Sequence, residues 1–188
     1  GNDFDLSRWC VVDLLFGEEK TTTSAYWPDR KDFRIYTPEF LRTLERMQKA
    51  SLPVFMSGSY PGTDLVMTND TSVASLVKKT LHFMPRTGHA VRTGSVAATD
   101  KAAPAFTGRF EFNTGITDKI YAAESPDAIE PAGRQSVTAF RYLENNTSAA
   151  VMYTGDVRSF VMGFPFETII SRKERDELMK QILDFLLK

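Results

Sequence analysis

Two residue types that carry much of enzyme chemistry are scarce in this chain. Cysteine occurs once, at Cys10, and histidine twice, at His82 and His89. One cysteine excludes an internal disulfide. Its place in the apolar run Trp9 to Phe16 reads as a small buried hydrophobe rather than a reactive thiol. Two histidines without a second cysteine make a zinc site improbable, and neither a metal nor a cofactor is expected. Neither charge dominates: 23 basic against 24 acidic residues give a net charge of −1. That argues against the basic face through which proteins hold nucleic acid. No apolar run approaches the roughly 18–20 residues of a membrane span. A signal-peptide pattern and an initiator methionine are also missing, and Gly1-Asn2-Asp3 reads as an internal cut.

What is present suits one globular domain over residues 1–188, with 42% hydrophobic and 25% charged residues. Residues 9–16 read as a buried strand or short core helix, and residues 18–36 as a loop. Thr37-Pro38-Glu39 has the form of a helix start, and Phe40, Leu41, Leu44 and Met47 give that helix one apolar face. Pro53 to Met56 reads as a buried strand that stops in the tight loop Ser57-Gly58-Ser59-Tyr60-Pro61-Gly62. Asp70 is positioned to cap a second helix, with Val73, Leu76, Val77 and Leu81 inward. From about residue 86 to 162, short β-like segments at 106–112, 119–123, 137–142, 149–153 and 159–163 suggest an antiparallel meander. Ser171 and Glu174 form a capping box for a closing helix striped by Leu178, Met179, Ile182, Phe185 and Leu186. This order predicts a layered α/β sheet with an antiparallel extension.

The Ser57–Gly62 loop is the local feature with most chemical content. A strand ending in a small-residue turn before a helix can lift a nucleophile beside backbone N–H groups. The glycines flank Ser59 at −1 and +3, one residue out of register with the GxSxG pattern. Ser57 and Ser59 are therefore candidate nucleophiles, the loop N–H groups a candidate anion cradle, and a plain tight turn the simpler alternative. A serine nucleophile needs a base, and nothing in the sequence ties His82 or His89 to it. Gly163 to Thr168 follows a strand and precedes the last helix, which sets Glu167 near a sheet edge of the kind where ligands bind.

Four blocks carry a family resemblance: 11–18 (VVDLLFGE), 55–65 (FMSGSYPGTDL), 124–131 (ESPDAIEP) and 163–169 (GFPFETI). In order and across most of the chain, they resemble the amidotransferase-like domain of secreted bacterial proteins labelled xanthan lyases. The wider similarity is to class I glutamine amidotransferases. That resemblance implies a three-layer αβα, flavodoxin-like fold and a secreted or periplasmic setting. It also implies an elbow nucleophile near Ser57 to Ser59 and a late Phe-His-Pro-Glu segment. Here the elbow has no cysteine, and the late segment reads Phe164-Pro165-Phe166-Glu167, with Pro165 in place of the histidine and Glu167 where the family's glutamate lies.

Glutamine hydrolysis by a thiolate thus has neither nucleophile nor base. The expectation is a non-catalytic module that binds polysaccharide or packs on other domains of the same polypeptide. The alternatives are a serine hydrolase or a polysaccharide lyase, using Ser59, Ser57 and Glu167, with Gly58, Tyr60, Gly62 and Asp64 around the ligand. Glu167, if structural, is expected to accept hydrogen bonds from backbone N–H groups.

Overall fold

The computed structural model describes residues 5–27 and 29–188; the opening Gly1-Asn2-Asp3 lies outside them. In chain order the elements are β1 (Val12–Leu15), β2 (Thr22–Thr23), β3 (Lys31–Asp32), α1 (Pro38–Lys49), β4 (Val54–Ser57), α2 (Pro61–Thr68), α3 (Thr71–Thr80) and β5 (Phe83–Thr87). They continue with β6 (Ser95–Ala98), β7 (Arg109–Glu111), β8 (Ala128–Pro131), β9 (Ser136–Tyr142), β10 (Ser148–Tyr153), β11 (Ser159–Met162) and α4 (Arg172–Leu186).

The main sheet has seven strands in the order β1-β4-β11-β10-β9-β6-β7, and two-stranded ladders β2-β3 and β5-β8 lie beside it. Among the described residues only the β1-β4 and β4-β11 pairings are parallel; β11-β10, β10-β9, β9-β6 and β6-β7 are antiparallel. This corrects the expected flavodoxin-like three-layer fold, whose sheet is built from parallel strands joined by helical crossovers. The sheet is mixed.

Strand β4 is buried on both faces because β1 and β11 flank it and a core lies on either side. Val54 and Met56 face one cluster with Leu44 and Met47 of α1 and Val77 of α3. Phe55 faces the other, with Phe160 of β11 and Leu178, Ile182 and Phe185 of α4. Such alternation along a doubly covered strand explains its unbroken apolar run.

The helix starts follow local chemistry. Thr37 accepts from the Phe40 N–H, Asp70 from the Ser72 and Val73 N–H groups, and Ser171 from that of Glu174. Other expectations need correction. The run at 9–16 gives only the edge strand β1, and Cys10 lies ahead of that strand and is exposed. Residues 119–123 form no strand, and the 106–112 segment contracts to β7. Strand β11 belongs to the meander on one side and to the parallel strands on the other. Helix α2, β5, β6 and β8 went unanticipated, and the 18–36 segment read as a loop contains the short pair β2-β3.

Gly163 shows how tightly β11 exits the sheet. Its carbonyl accepts from the Asp127 N–H at 2.7 Å, and an added Cβ would sit 2.2 Å from the Asp127 carbonyl oxygen. Backbone on both sides leaves nothing to yield. Gly163→Ala is therefore expected to cost roughly 3 kcal/mol, at the upper end of overpacking effects. Urea unfolding should show a lower midpoint at unchanged slope; a loss under about 1 kcal/mol would mean the contact does not constrain the fold.

Candidate functional site

Strands β1, β4 and β11 run parallel, so their carboxyl ends share one edge. Leu15 pairs with Ser57, and Ser57 with Met162. The segments that leave this edge are 16–20, the Ser57–Gly62 loop and Gly163–Glu167. The candidate residues of the loop and of the late segment are thereby brought to one end of the sheet.

Their individual settings differ from what nucleophilic chemistry needs. Ser59 is fully buried, and its hydroxyl donates to Glu18 Oε1. Ser57 is also fully buried, and its Oγ has no hydrogen-bond partner. Gly58 is required by close packing, since a Cβ there would meet Phe16 Cβ at 3.0 Å. Tyr60 is buried; its hydroxyl accepts from Lys20 Nζ at 3.2 Å, and that ammonium sits 4.4 Å from the ring centroid.

The candidate anion cradle is filled from within the protein. Helix α2 starts at Tyr60-Pro61-Gly62 without a side-chain cap of its own. Asp127, buried just before β8, supplies one. Its Oδ2 accepts from the N–H groups of Gly62 and Thr63, both at 2.7 Å, and Oδ1 from the Thr63 hydroxyl at 2.6 Å. The helix N-terminus, where an anion or oxyanion would otherwise bind, holds this carboxylate instead. Asp64 is likewise committed to structure. It is fully buried, accepting from the Thr21 N–H at 2.6 Å and the Ile35 N–H at 2.9 Å, and so ties the 18–36 segment to α2.

Glu167 is half-buried at the same edge. Its Oε1 accepts from the Tyr121 hydroxyl, and its Oε2 has no partner. The expected backbone donors to this carboxylate are therefore replaced by a phenol. Burial first, then the bond to Glu167 and the charges of Glu167 and Glu18, push the Tyr121 hydroxyl far above its usual range. Burial also raises Glu18, opposed chiefly by the Ser59 bond, and its Oε2 is unpartnered. Asp13 on β1 is raised by desolvation and by repulsion from Glu167. The edge is acidic, and the carboxylates partly repel one another.

Neither histidine completes a triad. His82 precedes β5 and bonds Ser159, at the start of β11, so it lies at the opposite end of the sheet from Ser59. His89 is exposed in the loop after β5. Among the described residues, no group of three or more His, Cys, Asp and Glu could hold a metal ion, and no helix is long and apolar enough to cross a membrane.

Sequence reasoning missed Glu18, Tyr121 and Asp127 as site residues. One signal for Asp127 was present: a helix beginning Tyr-Pro-Gly offers no local cap, so a remote acceptor was required. No spacing rule connects Tyr121 to Glu167 across 46 positions.

No family model matches the chain, and no curated protein is similar enough to match. Among solved structures, the exo-beta-1,4-mannosidase Op5Man5 from Opitutaceae bacterium strain TAV5 aligns over 77% of this chain and 22% of its own, with 11% identity and a TM-score of 0.45. The chain thus spans about a fifth of that protein's length, and a likeness this weak supports neither a fold nor an activity.

Asp127 gives a pH signature. Burial raises its pKa to about 6, against the hydrogen bonds of Thr63 and Gly62, with Asp64 adding repulsion. A folded pKa above the unfolded one means that the folded state holds the proton more tightly. The corresponding stability is full below about pH 4 and is lost as pH rises through about 6. Urea titrations should therefore show the wild type declining relative to Asp127→Asn across that window, by at most about 3 kcal/mol. At pH 7, Asp127→Ala strands the buried Gly62 N–H and the part-buried Thr63 N–H and should cost roughly 2–3 kcal/mol. Parallel pH profiles for wild type and Asn variant would show that this carboxyl does not titrate as its burial implies.

Proposed function

We propose that this chain is a non-catalytic module of a secreted or periplasmic carbohydrate-processing protein, of the kind labelled xanthan lyase, that binds glycan or packs on a neighbouring domain. The observation that supports it best is the Asp127 carboxylate on the first N–H groups of α2. A serine hydrolase at this loop needs those donors for its oxyanion, a reachable hydroxyl and a base. Here the donors are occupied, Ser59 is buried against Glu18, and His82 lies at the far end.

A lyase acting on uronates would need a base for the proton α to the carboxylate and a cation to neutralise that carboxylate. Glu18, Glu167 and Asp13 give this edge the opposite sign, and Lys20 is engaged with Tyr60. A tyrosine raised far above its usual range is also a poor base at neutral pH.

The module is expected to release no ammonia from glutamine, no unsaturated sugar from xanthan or polyuronate, and no chromophore from nitrophenyl esters. Turnover abolished by Ser59→Ala or Glu167→Gln would overturn the reading. Glu167→Gln should leave the stability read from thermal unfolding unchanged or higher, by up to about 1 kcal/mol, because it removes one of several neighbouring negative charges. A loss of 1–3 kcal/mol would instead mark a carboxylate that the fold needs.

A further inference from the structure

The same sheet has a second end, and a cavity opens there. It occupies about 290 Å³ beside the start of β4, between α1, the end of α3 and the turn after β10. That is the low end of small-molecule pockets, with room for one ring rather than a polymer stretch. Leu44, Met47, Leu52 and Val54 form a buried apolar floor.

The rim is polar and partly rigid. His82 stacks face to face on Tyr153, with ring centroids 3.4 Å apart and planes 3° from parallel. Behind Tyr153 comes Gly155, where an added Cβ would lie 2.2 Å from the phenol oxygen. His82 itself is held at φ +60°, a conformation that non-glycine residues adopt at a cost. The Ser159 hydroxyl donates to the Leu81 carbonyl at 3.2 Å, so its oxygen accepts from His82 Nδ1 at 3.1 Å. The proton therefore sits on Nδ1, and Nε2 keeps a free lone pair. Burial depresses the imidazole pKa to about 4, so the ring stays neutral at physiological pH. Gln48, Lys79 and Asp156 also line the cavity, and among the described residues none of their side chains bonds another protein group.

We propose that this cavity binds a single neutral sugar ring, such as the terminal residue of a glycan. A pyranose has an apolar C–H face and a circumference of hydroxyls that both donate and accept. The apolar floor matches the first. The Gln48 amide, the His82 lone pair, the Lys79 ammonium and the Asp156 carboxylate match the second. One ammonium and one carboxylate leave no excess positive charge to repay the desolvation of a uronate, which favours a neutral ring. The choice of a sugar rests on the carbohydrate reading above, but the cavity is separate from the Ser59–Glu167 edge.

The test is a titration of isotope-labelled protein with methyl β-D-glucopyranoside and, separately, with glucuronate, followed by NMR. The glucoside should move the His82 imidazole Nε2 signal and the amides of Thr80, Tyr153 and Asp156. Asp156→Asn, at an exposed position, and Gln48→Ala should each weaken binding about tenfold, equivalent to one good hydrogen bond at about 1.4 kcal/mol. Shifts elsewhere, none at all, binding unchanged in both variants, or tighter binding of glucuronate would each overturn the proposal. The outcomes separate from those above: turnover at the Ser59 edge would sink the non-catalytic reading and leave the cavity standing. A silent cavity in an inactive protein would do the reverse.

Discussion

The carboxylate of Asp127 on the N-terminus of α2 is the contact that most of this architecture depends on. Helix α2 leaves the central strand with no cap of its own, and its first N–H groups are buried. Asp127 reaches them from 65 residues away in sequence. The backbone on either side of Asp127 is fixed in turn. Its N–H donates to Gly163, and its carbonyl accepts from the Tyr142 hydroxyl at 2.8 Å. One residue thereby joins the helix after β4, the exit of β11 and the end of β9. A buried charge is tolerated there because three donors and a helix dipole face it.

That contact also decides what the carboxyl edge can do. Strand-to-helix turns are useful to enzymes because their N–H groups are free to meet developing negative charge. Once a side chain of the protein occupies them, the turn becomes a joint. Buried, unpartnered carboxylate oxygens on Glu18 and Glu167 remain at the edge, in surroundings that favour hydroxyl donors over anions. The opposite end of the sheet has the complementary character: a neutral imidazole, an apolar floor and balanced charge.

Local structure was legible in the sequence wherever the cause was local. Thr37, Asp70 and Ser171 cap their own helices, and β4 declared itself as an apolar run between turn signals. The Ser57–Gly62 loop and Gly163–Glu167 each read as a turn at a strand's end, and the register of β4 with β11 puts them side by side. Strand direction was read only for the meander; nothing in the sequence marked β1 and β11 as the parallel partners of β4. The flavodoxin-like sheet was what the family resemblance implied, and the sheet found is mixed. Cys10 was misplaced for a related reason. Hydrophobic neighbours such as Trp9 and Leu15 suggest an interior, yet they are themselves exposed, Leu15 on the edge strand β1 and Trp9 ahead of it.

The position of β11 has a consequence for how the chain reaches this state. Val54 of β4 pairs with Ser159 of β11, about 105 positions later, and the centre of the sheet exists only once both are present. Closing so long a segment has an entropic cost that local contacts cannot offset early. During synthesis β4 must therefore wait, its apolar residues uncovered on one side, until nearly the whole chain has emerged. The molecule is completed from its middle at the last moment, and a polypeptide ending before residue 162 would lack the strand that joins its two halves.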